Sequence, residues 1–165
     1  MAAIGIIYGS STGNTEAAAS IIQSRMEGAE VMNISGLSSV DDLKKYDLII
    51  LGSSTWGLGD LQDDWDVQIN NLKKLDLSGK KVAFFGTGDQ ASYPDTFVDA
   101  MGILYDAAAE TNASLIGAWP VDGYEHTESR AVRNGKFVGL ALDEDNQADL
   151  TEERIFGWVE LIRNS

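Results

Sequence analysis

Cysteine is absent from the 165 residues, histidine occurs once, proline twice, and 12 basic side chains stand against 26 acidic ones. The missing cysteine excludes disulfides, thiolate metal clusters, cysteine nucleophiles and cysteine-ligated iron–sulfur centres. If such a chain moves electrons, it borrows an organic cofactor. The lone His126 gives a metal site or a Ser/His/Asp triad almost no support. Its polar surroundings predict an exposed side chain. No apolar run nears ~18 residues, and the start enters a strand pattern with no basic segment and apolar core before it. The expectation is a soluble, cytoplasmic, monomeric protein. A formal charge of −14 argues against nucleic acid as a partner.

What is present reads as one domain over residues 1–165, since a chain of roughly 150 residues buries about 70% of its unfolded surface. Short, near-continuous apolar runs at 3–8, 48–51, 82–85 and 113–118 suit strands buried on both faces of a parallel sheet, and Val31, Met32 and Asn33 add an edge strand. Helical stretches are predicted at about 14–27, 62–74, 95–110 and 151–163. Thr151 reads as the N-cap of the last one, with Glu152 and Glu153 in its first turn. In that helix Ile155, Trp158, Val159 and Ile162 share the face toward the sheet, and Trp65 also reads as packing. Strand then helix, repeated, is an α/β pattern. Residues 119–135, rich in Gly, Pro and polar side chains, read as an insertion that splits the final strand.

The most informative turn follows the first apolar run. Ser10, Ser11, Thr12, Gly13, Asn14 and Thr15 form a hydroxyl-rich junction between strand and helix, with no lysine before Lys44. A helix start offers unpaired N–H groups and the positive end of a macrodipole, so these hydroxyls complete a cradle for a phosphate monoester held without a cation. The Gly-x-x-x-x-Gly-Lys-[Ser/Thr] loop of nucleoside triphosphatases and the Gly-x-Gly-x-x-Gly dinucleotide turn are both missing here. Ser, Thr, Gly and Asn before a helix also serve as ordinary caps.

Three further segments decide between these readings. Residues 54–65 read STWGLGDLQDDW, residues 86–94 read GTGDQASYP, and residues 134–147 read NGKFVGLALDEDNQ. With the first turn they resemble, in order and spacing, the phosphate loop, two flavin loops and late segment of long-chain flavodoxins. The resemblance runs end to end. It implies a flavodoxin-like three-layer α/β/α fold with a five-stranded parallel sheet in the order 2-1-3-4-5, the ligand lying at the carboxyl ends of the strands where the order switches. It also implies bound FMN and a one-electron shuttle cycling chiefly between semiquinone and hydroquinone. Ferredoxin–NADP reductase, photosystem I, a 2-oxoacid oxidoreductase and nitrogenase reductase are the implied partners.

Trp56 and Tyr93 each lie one short loop beyond a strand among small residues, and together they could sandwich an isoalloxazine ring. Thr55, Gly57, Leu58, Gly59, Thr87, Gly88 and Asp89 would line it mostly through backbone groups. The family implies that the Gly57 carbonyl turns toward flavin N5, and glycine suits a peptide that must flip. Asp145, in the late segment, either reaches the ribityl chain or is a solvated acid. Stacking disfavours a flavin that has gained negative charge, and so do nearby carboxylates. One like charge at ~10 Å with an effective dielectric near ~20 costs about 1.7 kcal/mol, or roughly 70 mV for a one-electron couple. Asp60, Asp63, Asp64 and Asp66, with no basic residue from Thr55 to Ile69, and six carboxylates from Asp143 to Glu153 read as a docking surface for basic redox proteins.

Rival readings are weaker. A receiver domain needs an acid cluster after strand 1 and an Asp ending strand 3, where Gly9-Ser10 and Ser53-Ser54 stand. A flavodoxin-like FMN-dependent NAD(P)H or quinone reductase needs space beside the ring that a Trp56–Tyr93 sandwich would fill. Asp89 lacks the partner groups of a catalytic acid.

Overall fold

A computed structural model describes residues 3–9, 13–56 and 59–165, and for Trp56 the backbone alone. Ten strands and five α-helices are found among the described residues. The long parallel strands are β1 (Ile4–Gly9), β2 (Glu30–Asn33), β3 (Leu48–Trp56), β5 (Lys81–Thr87) and β10 (Leu140–Leu142). They lie in the order β2-β1-β3-β5-β10, which for these five is the expected 2-1-3-4-5. Two short strands extend the sheet: β4 (Asp60–Leu61) runs antiparallel to the end of β3, and β6 (Ser114–Leu115) runs parallel to the start of β5.

The last strand is split, as the sequence predicts. Ser114 and Leu115 of β6 pair with Lys81 and Val82, whereas Leu140, Ala141 and Leu142 of β10 pair with Phe85, Gly86 and Thr87. Between them, residues 116–139 leave the sheet and build a small antiparallel one from β7 (Trp119–Pro120), β8 (Val132–Arg133) and β9 (Lys136–Phe137), ordered β7-β9-β8. The predicted 119–135 lies inside this segment, and the composition that marked it gave no sign of its strand pairing.

Alternation along the strands feeds two cores, because successive side chains point to opposite faces. Ile7, Ile49, Leu51, Val82 and Phe84 pack with α2 (Asp63–Lys73) and α3 (Asp99–Ala109). Ile6, Tyr8, Ile50, Ala83, Phe85, Leu140 and Leu142 pack against α1 (Asn14–Ser24) and α5 (Thr151–Arg163). Ile155, Trp158, Val159 and Ile162 are buried on the predicted face of α5. Trp65 and Trp158 are core residues whose indole N–H groups donate to Gly52 O and Gly117 O at 2.7 and 2.8 Å. Each bond avoids the roughly 1–3 kcal/mol cost of a buried orphan donor.

Three expectations change. Thr151 is the first helical residue of α5, not its N-cap; its hydroxyl donates to Glu144 Oε1 in the preceding short helix α4 (Glu144–Gln147) instead of satisfying the helix's own amides. Helix α3 starts at Asp99 rather than near 95, because the intervening chain is held in turns up to Val98, whose φ of 48° is incompatible with a continuing helix. His126 is half-buried, not exposed: its ring stacks on Phe97 at 5.6 Å and meets Phe137 at 5.1 Å. A polar sequence context conceals an aromatic floor supplied from far along the chain.

Candidate functional site at the carboxyl edge of the sheet

Strand register alone brings the candidate loops together. Gly9, the last residue of β1, stands beside Ser53, Ser53 beside Gly86, Ser54 beside Thr87, and Thr87 beside Leu142. The chain segments leaving β1, β3, β5 and β10 therefore emerge along one edge, where the strand order switches.

Ser10, Ser11, Thr12, Gly57 and Leu58 lie outside the described residues. Gly13 is the N-cap of α1 in a left-handed conformation, φ 95°, which a side chain would strain. Asn14 and Thr15 form the first turn, and among the described residues no side chain caps this helix start. Thr15 is fully buried, and its hydroxyl lies 3.0 Å from that of Thr87 at the end of β5. One hydroxyl hydrogen joins the two oxygens; the second is left to be donated to a ligand acceptor. A helix start together with this hydroxyl donor suits a phosphate monoester without requiring a cation.

The candidate ring-side residues are carried on two loops. Thr55 ends the first inside β3, its Oγ1 accepting from Ala100 N at 3.1 Å. Gly59 has φ 101°, and a Cβ there would stand 2.6 Å from Asp99 Oδ2. In the second loop, Gly88 N donates to Leu142 O at 3.0 Å, and Tyr93 N donates to Asp89 O at 2.9 Å. Tyr93 is 48% exposed, a large apolar ring set on the surface beside the sheet edge. Asp89 is a structural acceptor: Ser92 N at 2.9 Å, Asn146 Nδ2 at 2.8 Å and Ala91 N at 3.1 Å all donate to its Oδ1, and the Ser92 amide foremost holds its carboxyl below the usual range. Asp145 is exposed on α4, and desolvation, then the charges of Asp89, Asp143 and Glu144, push its carboxyl up.

The structure adds positioning groups that sequence reasoning missed. Asp143 is fully buried at the N-cap of α4, where it accepts from Gln90 N, Asn146 N and Asn146 Nδ2 at 3.0, 3.0 and 2.8 Å. The Gln90 side chain reaches both Gln147 Oε1 and Glu125 N. These contacts tie the Asp89–Tyr93 loop to α4 and to the insertion. The cap itself had a signal, an Asp three residues before Asn146 at a strand end; its long-range partner Gln90 had none. Gln62, likewise, is the buried N-cap of α2, its Oε1 accepting from Asp64 N at 3.0 Å and Trp65 N at 3.4 Å.

Known proteins agree with this geometry. The model of the Flavodoxin family matches residues 6–158. The flavodoxin of Synechocystis sp. is 49% identical over 165 residues, 99% of this chain and 97% of that protein. Flavodoxin 1 of Escherichia coli is 43% identical, with 98% and 93% covered. The crystal structure of Fusobacterium nucleatum flavodoxin bound to flavin mononucleotide superposes with a TM-score of 0.93 at 30% identity, covering 99% of this chain and 98% of that one. A family model that matches residues 6–158, with a relative 49% identical over 99% of the chain, leaves one conclusion: this chain belongs to the flavodoxin family.

Proposed function

We propose that this chain is a low-potential one-electron carrier that binds FMN and passes electrons between redox proteins. The observation that carries the reading is the Thr15–Thr87 hydroxyl pair, which joins the first turn of α1 to the end of β5 at the carboxyl edge of the sheet, with Tyr93 exposed in the loop that follows Thr87. FMN supplies the one-electron chemistry. Ser10, Ser11, Thr12, Gly13, Asn14 and Thr15 bind its phosphate; Thr55, Trp56, Gly57, Leu58 and Gly59 form one wall of the ring site; Thr87, Gly88, Asp89 and Tyr93 form the other. We assign Asp145 to the ribityl chain; the next residue on its helix, Asn146, donates to Asp89. The protein works as one domain over residues 1–165, as a monomer in the cytoplasm. No described helix is long and apolar enough to cross a membrane.

Its partners are basic redox proteins such as ferredoxin–NADP reductase, photosystem I, a 2-oxoacid oxidoreductase or nitrogenase reductase. They meet a face on which Asp63, Asp64 and Asp66 stand in the first turn of α2, next to Asp60 in β4. Titration of the purified apoprotein with FMN, riboflavin and FAD tests the assignment. One equivalent of FMN is expected to bind, and FAD is expected to be rejected. Stopped-flow mixing of the FMN form with NADPH separates carrier from reductase: direct reduction at a catalytic rate would overturn the carrier reading.

A further inference from the structure

The split in the last strand leaves a recess. β6 pairs with Lys81 and Val82, and β10 pairs with Phe85, Gly86 and Thr87, so neither piece pairs with Ala83 or Phe84 between them. Where the chain leaves β6 and where it returns toward β10, Leu115, Ile116, Phe137 and Val138 wall a cavity of about 190 Å³, which Tyr105 of α3 completes. Phe137 and Val138 are buried and the other three half-buried, so the wall is apolar and rests on the core. The mouth is cationic, formed by Arg133, Asn134 and Lys136 of the β8–β9 hairpin. Asn134 and Gly135 have φ of 56° and 79°, both positive as a two-residue Asn-Gly turn requires, and Arg133 and Lys136 therefore stand directly opposite each other. Like charges so opposed are destabilising. Arg133 is neutralised, its guanidinium gripping Asp106 of α3 at 3.0 and 3.2 Å. Lys136 has no ion pair among the described residues, although the chain carries 26 acidic side chains.

We propose that this cavity is a binding site for small aromatic carboxylates, the ring entering between Leu115, Ile116 and Phe137 and the carboxylate meeting Lys136 at the mouth. An apolar cavity of about 150 Å³ takes up benzene, so this one holds a single ring with a short acid arm. It is too small for a drug-sized ligand, which needs roughly 300 Å³ or more. A ring suits it better than an alkyl chain, because Tyr105 and Phe137 offer aromatic edges and faces and a ring has no rotamers to lose. The anion gives Lys136 the partner that the fold withholds. The site lies apart from the loops assigned to FMN, and the inference does not depend on that assignment. A net charge of −14 opposes any anion, so a carboxylate binds here only where the local cation outweighs the field of the whole molecule. The ranking of charged ligands is therefore decisive.

Three probes of similar shape test this: phenylacetate, phenethyl alcohol and phenethylammonium, each titrated into the full chain as purified, at physiological salt, with backbone amide shifts as the readout. Phenylacetate should shift residues 115–118 and 132–138 and bind about fivefold tighter than the alcohol, the worth of a favourable exposed ion pair, with the ammonium weakest. The net charge alone predicts the opposite order. Lys136→Gln should bring phenylacetate to the affinity of the alcohol and leave the alcohol unchanged. Ile116→Trp, which fills the recess, should abolish binding of both. The proposal is overturned if phenylacetate gives no saturable shift or binds no tighter than the alcohol, if the shifts centre outside the cavity, or if either variant binds phenylacetate as wild type does. If Ile116→Trp does not fold, the probe ranking and Lys136→Gln decide by themselves. Failure of the protein to bind FMN would leave these expectations unchanged and would count against the functional reading alone.

Discussion

At the scale of single residues, the proposed site divides hydroxyls assigned to the phosphate from carboxylates that hold the loops in place. Thr15 and Thr87 are buried side by side and share one hydrogen, so losing either leaves the other without its partner. Thr15→Ala, and likewise Thr12→Ala, is expected to weaken FMN by one to two orders of magnitude, at about 1.5–3 kcal/mol for a hydrogen bond to a charged group. Riboflavin affinity should change far less. A fluorescence titration with both ligands checks this, and equal loss for the two would remove the phosphate assignment. Asp143 makes the opposite case: Asp143→Ala strands Gln90 N inside the protein and should lower stability by about 2 kcal/mol in urea unfolding of the apoprotein. Thr15 and Thr87 each stood in a motif local in sequence, but their pairing across 72 residues did not. Asp143 and Asp99 were not legible either, since their partners Gln90 and Arg130 lie 53 and 31 residues away and only the fold brings them together.

At the scale of elements, the strands and helices were legible because their residues repeat a simple period, and the insertion was not, because its order comes from elsewhere. Its polar residues pack over Phe97, Phe137 and Tyr124, whose rings meet edge to face or tilted at 4.9 to 5.9 Å. Tyr124 anchors the cluster: its hydroxyl donates to Ala141 O, it accepts from Trp119 Nε1 at 3.1 Å, and burial pushes its pKa up to about 12. His126 lies on this floor with a buried Nδ1 that has no partner among the described residues, and desolvation lowers its pKa. Because the folded state resists the proton and the unfolded state takes it up near its ordinary pKa of about 6.5, stability is lost as pH falls below that value toward the folded pKa. His126→Phe should preserve the stacking and flatten this acid limb. Urea unfolding of both proteins between pH 7.5 and 5 gives the test, and parallel curves would show that His126 contributes nothing to it.

At the scale of the whole molecule, the charge of −14 includes a cluster formed by Asp60 in β4 and Asp63, Asp64 and Asp66 in the first turn of α2. Asp63, Asp64 and Asp66 also complement the positive end of α2, at roughly 0.3–1 kcal/mol each when exposed, so part of this clustering serves the helix itself. Val67, 74% exposed among them, is an apolar point that helix formation does not require. Electron transfer to a basic reductase should therefore slow as salt shortens the Debye length to ~8 Å, once encounter limits the rate. At low salt the rate can fall again where strong attraction traps unproductive orientations. Replacing Asp60, Asp63, Asp64 and Asp66 with Asn should flatten the dependence; identical salt profiles for variant and wild type would exclude steering by this face. The split of the final strand bears on the order in which the molecule assembles. Its two pieces reach β5 separately, and the roughly two dozen residues between them cost on the order of 3 kcal/mol of chain entropy to close. The start of β5 can pair with β6 soon after α3 forms, whereas its end waits for the insertion to fold back. The half of the sheet edge that receives the cofactor is thus completed last, which makes the ligand a late arrival in folding and the apoprotein a place to look for slow amide protection confined to residues 85–87 and 140–142.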